Sequence, residues 1–171
     1  MTKEELKKDI DSLGKISLEL YKRQQEILPT LFILGRKAED KAKDIQVIVI
    51  PFFSSEQKKI ALYKAGELSL PFNPEGVILI SEAFYTSYPK DTKMDGIIPP
   101  SQDQNKKEAL TMIGMTKEKE VALKMYEIQT AFDKIGGLAK IPVEINGTGI
   151  EKVDAFLLNE FWKGLNSVSK P

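Results

Sequence analysis

The residues of this chain best suited to chemistry are carboxylates and hydroxyls in two short blocks, Ser81-Glu82-Ala83-Phe84 and Pro100-Ser101-Gln102-Asp103, with Glu108 just beyond. The first block closes the apolar run Val77-Ile78-Leu79-Ile80, and a carboxylate at a strand end beside a long loop suits binding or general-base work. The second block reads as a proline-led turn in which Ser101 and Asp103 bond nearby backbone N–H groups. If the two blocks meet, Ser81, Glu82, Ser101, Asp103 and Glu108 form one polar binding cluster. Three of them, Glu82, Asp103 and Glu108, are also a conceivable Mg²⁺ set, since that ion takes one or two protein carboxylates and keeps its water. Turn formation and backbone capping explain the same residues more simply, so no metal site is assigned.

Composition narrows the chemistry further. The chain contains neither cysteine nor histidine, which removes disulfides, thiolate nucleophiles, the usual zinc and iron–sulfur ligand sets and imidazole acid–base catalysis. Asn146-Gly147-Thr148-Gly149 carries a G-x-G but lacks the third glycine of a dinucleotide fingerprint and the Lys-Ser/Thr ending of a P-loop, so it reads as a turn and no cofactor is expected. Basic and acidic residues balance at 25 each, and Arg23 and Arg36 are the only arginines. Without a net positive field or the planar guanidinium fork, nucleic acid is not the expected partner.

The beginning of the sequence is charged, without the apolar core of a signal peptide, and no apolar run approaches the ~20 residues that span a bilayer. The expectation is a cytoplasmic chain with no membrane partner.

The elements that must position these residues follow from periodicity. Leu6, Ile10, Leu13, Ile16 and Leu20 recur at helical spacing over residues 3–25, behind a Thr2/Glu5 capping box, and Gly14 predicts a bend or break midway. Residues 31–34 and 45–50 predict an antiparallel hairpin with a long polar tip, and residues 54–68 a helix. Val77 to Ile80 reads as a central strand covered on both faces, and residues 85–104 as a long loop. Residues 108–115 and 120–129 pair as strands, Pro142 marks residues 136–145 as an edge strand, and a final helix carries Val153, Phe156, Leu157, Phe161, Trp162 and Leu165. Consecutive strands between terminal helices predict one α+β domain over residues 1–171. It is expected to hold a mainly antiparallel or mixed sheet of about five to six strands with helices packed on one face.

The two polar blocks together resemble a family of small, functionally uncharacterised prokaryotic and phage-associated proteins. In that family an apolar strand ends in Ser-Glu-Ala-Trp and a Pro-Ser-x-Asp-Pro-x-Arg-x-Glu-Ala segment follows. Here the positions read Ser81-Glu82-Ala83-Phe84 and Pro100-Ser101-Gln102-Asp103-Gln104-Asn105-Lys106-Lys107-Glu108-Ala109, about a fifth of the chain, with Phe84, Gln104 and Lys106 departing from the pattern. The resemblance implies no established activity; it points to a structural or binding cluster and a virus- or mobile-element-associated setting.

The leading expectation is therefore a non-enzymatic interaction or accessory protein. Its surface is expected at Phe84, Tyr85, Tyr88 and Trp162, with a protein partner or a homo-oligomer as the assembly. The alternative is a carboxylate-dependent, Mg²⁺-assisted hydrolase of a phosphate-containing substrate using Glu82, Asp103 and Glu108.

Overall fold

A computed structural model describes residues 1–37, 42–50, 54–86, 102–132, 136–145 and 156–168. Helix α1 (Lys3–Gln24) begins at the expected capping box: Glu5 N donates to Thr2 Oγ1 at 3.2 Å and Thr2 N to Glu5 Oε2 at 2.7 Å. It ends where Gln25 takes a left-handed backbone. Strands β1 (Thr30–Arg36) and β2 (Lys43–Val49) form the predicted antiparallel hairpin. Then come α2 (Ser55–Leu68), β3 (Gly76–Tyr85), β4 (Lys107–Thr116), β5 (Val121–Phe132), β6 (Leu138–Glu144) and α3 (Phe156–Val168).

The strands form one antiparallel sheet in the order β2-β1-β3-β4-β5-β6, so β3 and β4 lie at its centre and β2 and β6 at its edges. The α+β class, the terminal helices and the edge position of the Pro142 strand agree with expectation. The placement of all helices on one face does not. Because side chains alternate across a strand, Val77 and Leu79 join Leu62, Phe161 and Trp162 of α2 and α3 in one core, while Ile78 and Ile80 join Leu6, Ile10 and Tyr21 of α1 in another. A strand that is apolar on both faces needs cover on both, so the helices divide.

Gly14 does not break α1. The helix runs through it, and a Cβ there would meet Met112 Sδ at 2.8 Å, so the missing side chain lets the helix settle onto β4. On the other face α2 and α3 touch backbone to backbone. A Cβ on Gly66 would strike the Phe161 carbonyl, and one on Gly164 would strike the Tyr63 carbonyl.

Candidate functional site

Strand β3 does not stop at Ile80. Its pairing with β1 ends at the Ile80–Thr30 pair, but its pairing with β4 continues to Tyr85–Lys107, because β4 supplies backbone partners along the whole length. Glu82 is thus an in-strand residue and not a strand end, and the alternation of the sheet decides which predicted residues can meet it.

Glu82 and Glu108 do share a face of the sheet. Glu82 pairs with Leu110 and Phe84 with Glu108, so the two carboxylates are diagonal neighbours on the α1 face, within reach for long side chains. Glu82 Oε1 accepts from the Ile27 N–H at 2.8 Å, and Lys140 Nζ lies 3.1 Å from Glu108 Oε2 and 3.2 Å from Glu108 Oε1. The backbone N–H of Lys140 donates to Gln25 Oε1 at 2.7 Å, which fastens β6 to the end of α1. The Tyr21 hydroxyl belongs to the same face of the sheet; it is buried and has no hydrogen-bond partner among the described residues.

The electrostatics follow this geometry. Burial pushes the Glu82 carboxyl above the ordinary carboxylate range and the adjacent Glu108 adds to the rise, while the Ile27 N–H and the Lys140 ammonium oppose it. The Tyr21 hydroxyl is pushed up to about 12, first by burial and then by the negative charge of Glu82 and Glu108. Burial therefore lets Glu82 keep its proton to a pH above the usual carboxylate range.

The other predicted site residues go elsewhere. Ser81 points to the opposite face, where Thr111 Oγ1 donates to its carbonyl at 3.0 Å and the two hydroxyls lie 3.4 Å apart, a buried bond between β3 and β4. Asp103 is buried in its own turn, accepting from Asn105 N at 2.8 Å, as the capping reading has it. Ser101 and Tyr88 lie outside the described residues. The three carboxylates Glu82, Asp103 and Glu108 do not assemble, and among the described residues no group of three or more acidic side chains could hold a metal ion.

Of the expected interaction residues, Phe84 is exposed, with Lys106 Nζ 4.7 Å from its ring centre. Tyr85 is half-buried and donates its hydroxyl to Glu127, which also takes Lys107 Nζ at 2.9 Å; burial and that carboxylate push the Tyr85 hydroxyl upward. Trp162 is only 2% exposed. It packs edge-on against Phe161 with ring centres 5.3 Å apart and supports the α2–α3 core, so it offers no surface to a partner.

Sequence reasoning missed Tyr21, Gln25 and Lys140. Tyr21 lies on the same helical face as Ile10, Gly14 and Ser17 and looks like core by spacing, and no local signal links Lys140 to Gln25 across 115 positions. Comparison of the chain with protein-family models, with curated proteins and with solved structures gives no match.

Proposed function

We propose that the protein is a non-enzymatic interaction protein that pairs with a second copy of itself along β2. The observation that carries this reading is the apolar strip Ile45, Val47 and Val49, which is 41%, 57% and 51% exposed on an edge strand. These residues pair with Leu34, Phe32 and Thr30, so they lie on the α1 face of the sheet. Among the described elements α1 lies mainly over β4, β5 and β6 rather than over β2, and its own Ile16 and Leu20 are also exposed.

The two sheet edges differ in the way that matters for pairing. Strand β6 carries Pro142 and Lys140 in its middle, features that discourage another chain from adding on. Strand β2 has no charge and no proline from Ile45 to Val49, and its Lys43 is already engaged by Asp9 of α1. Antiparallel pairing about a two-fold axis through Val47 sets Ile45 opposite Val49 of the other copy. It also keeps Lys43 and Asp44 at the outer ends, where they do not face their own counterparts. Backbone bonds then supply affinity and the apolar strip supplies register. A self-pairing scaffold also fits the accessory setting that the family resemblance implies.

Sedimentation of the wild-type chain and Val47→Lys from about 1 to about 100 µM tests this. The wild type is expected to dimerise within that range and the variant to stay monomeric. A wild type that remains monomeric throughout refutes the reading.

A further inference from the structure

Strand β6 is as apolar as β2, with Leu138, Ile141 and Val143 exposed and Phe132 exposed beside them on β5, so apolar surface alone would make both edges of the sheet adhesive. The backbone separates them. Along an antiparallel strand alternate residues turn their N–H and C=O to the neighbouring strand, and the residues between turn theirs outward. Ile50 N donates to the Pro29 carbonyl at 2.7 Å and Lys37 N to the Ala42 carbonyl at 2.9 Å, so the residues of β2 turned outward are Lys43, Ile45, Val47 and Val49. Ile45 N donates to Asp44 Oδ1 at 3.1 Å, while the N–H groups of Val47 and Val49 have no partner among the described residues. In β6, Ile145 N donates to the Met125 carbonyl at 3.0 Å, which turns Lys140, Pro142 and Glu144 outward. The Lys140 N–H is taken by Gln25 Oε1 at 2.7 Å and Pro142 has none, so the middle of that edge offers no donor to an incoming strand.

We propose that Gln25 is an edge guard: it closes β6 to strand addition and, resting on β2 as the pairing edge, limits assembly to two chains. An isologous β2 pair uses both β2 edges and leaves only β6 edges outside. Open β6 edges would join such pairs end to end into a growing ribbon of sheets. With the Lys140 N–H capped and Pro142 beside it, an incoming strand would leave its own carbonyls opposite these positions without partners.

The local structure at Gln25 directs its side chain to this contact. The residue ends α1 at φ 60, a left-handed conformation in which glycine is usual, and its N–H donates to the Tyr21 carbonyl at 2.7 Å. Its Nε2 donates to the Lys22 carbonyl at 3.2 Å, which orients the amide so that Oε1 faces Lys140. The Lys140 ammonium is held by Glu108 at 3.1 Å, so the backbone and the side chain of this one β6 residue are both engaged from within the molecule. Glycine at position 25 would relieve the backbone but leave the Lys140 donor free at the edge.

Sedimentation of Gln25→Gly/Pro142→Val at up to about 100 µM tests the guard, because the first substitution suits the left-handed backbone and frees the Lys140 N–H while the second restores the missing donor. Species larger than the dimer are expected, whereas Gln25→Glu, which keeps an acceptor oxygen, is expected to stay at wild-type size. The same two substitutions combined with Val47→Lys take β2 out of the outcome: self-association is expected there, against a monomeric Val47→Lys chain. A wild type that stays monomeric while this triple variant associates refutes β2 pairing and supports the guard. A folded triple variant that stays monomeric, or a wild type that grows beyond the dimer, overturns the guard. Amide exchange of the unmodified chain needs no variant: the Lys140 N–H, although on the outer side of an edge strand, is expected to exchange at least about tenfold more slowly than an unstructured amide, and an unprotected Lys140 overturns the guard.

Discussion

Replacing Glu82 with Gln should stabilise the protein above neutral pH, although it removes a charge that makes a hydrogen bond. Glutamine keeps a carbonyl oxygen for the Ile27 N–H and carries no charge, so it copies the neutral carboxyl at every pH. Burial is the largest cause that disfavours the charged form of Glu82, and the repulsion from Glu108 is smaller than the attraction of Lys140. Opposed by the Ile27 N–H and Lys140 and screened at a partly exposed site, that penalty is on the order of 0.5–1 kcal/mol. For a chain of this length the gain corresponds to a melting temperature about 1–4 °C higher near pH 8. Below the ordinary carboxylate value of 4.5 the folded and unfolded wild type both take up the proton, so the difference should vanish there. Glu82→Ala is the control: it strands the part-buried Ile27 N–H and should cost about 1–2 kcal/mol at both pH values. Thermal melts of the three proteins at the two pH values decide the matter. If Glu82→Gln destabilises as much as Glu82→Ala, or if its effect is the same at both pH values, the account of the carboxyl pair fails.

Trp162→Ala should cost about 3–5 kcal/mol by denaturant unfolding, because it empties the core between α2, α3 and the sheet, and should leave the sedimentation behaviour of the folded fraction unchanged. Gly164→Ala should destabilise by at least about 1–3 kcal/mol, since the added methyl meets the Tyr63 backbone, which cannot rotate away. Gly14→Ala sets a helix-propensity gain of about 1 kcal/mol against contact with the movable end of Met112, so its melt should lie within about 1 kcal/mol of wild type.

What the sequence made legible was local. The capping box at Thr2 and Glu5, the hairpin of β1 and β2 and the edge position of the Pro142 strand all depend on residues close together in the chain, and each is present. Reading Val77 to Ile80 as doubly covered was sound, but which helix covers which face is a packing decision between segments far apart, and sequence spacing carries no information about it. Gly14 shows the same limit at one residue: propensity marks a weak point, whereas the fold uses the absent side chain as a seat for Met112. At the site, Glu82 and Glu108 were recognisable as polar residues beside apolar runs, and register brings them together. Ser81 was grouped with them wrongly because adjacent strand residues face opposite ways. The exposure of Ile45, Val47 and Val49 could not be foreseen, since an apolar β-branched run reads as interior until the extent of α1 over the sheet is known.

The glycine contact between α2 and α3 bears on how the chain comes off the ribosome. Leu62 and Ala65 of α2 are covered by side chains that begin about ninety residues later, at Leu158, Phe161 and Leu165. During synthesis the residues up to the end of β4 can pair β1, β3 and β4 and begin to seat α1, while the opposite side of the sheet waits for α3 to arrive. Closure of that side is a long-range event, slow relative to the hairpins. A nascent chain stalled before α3 would show an uncovered apolar layer, the form in which this protein is most exposed to chaperones and to aggregation.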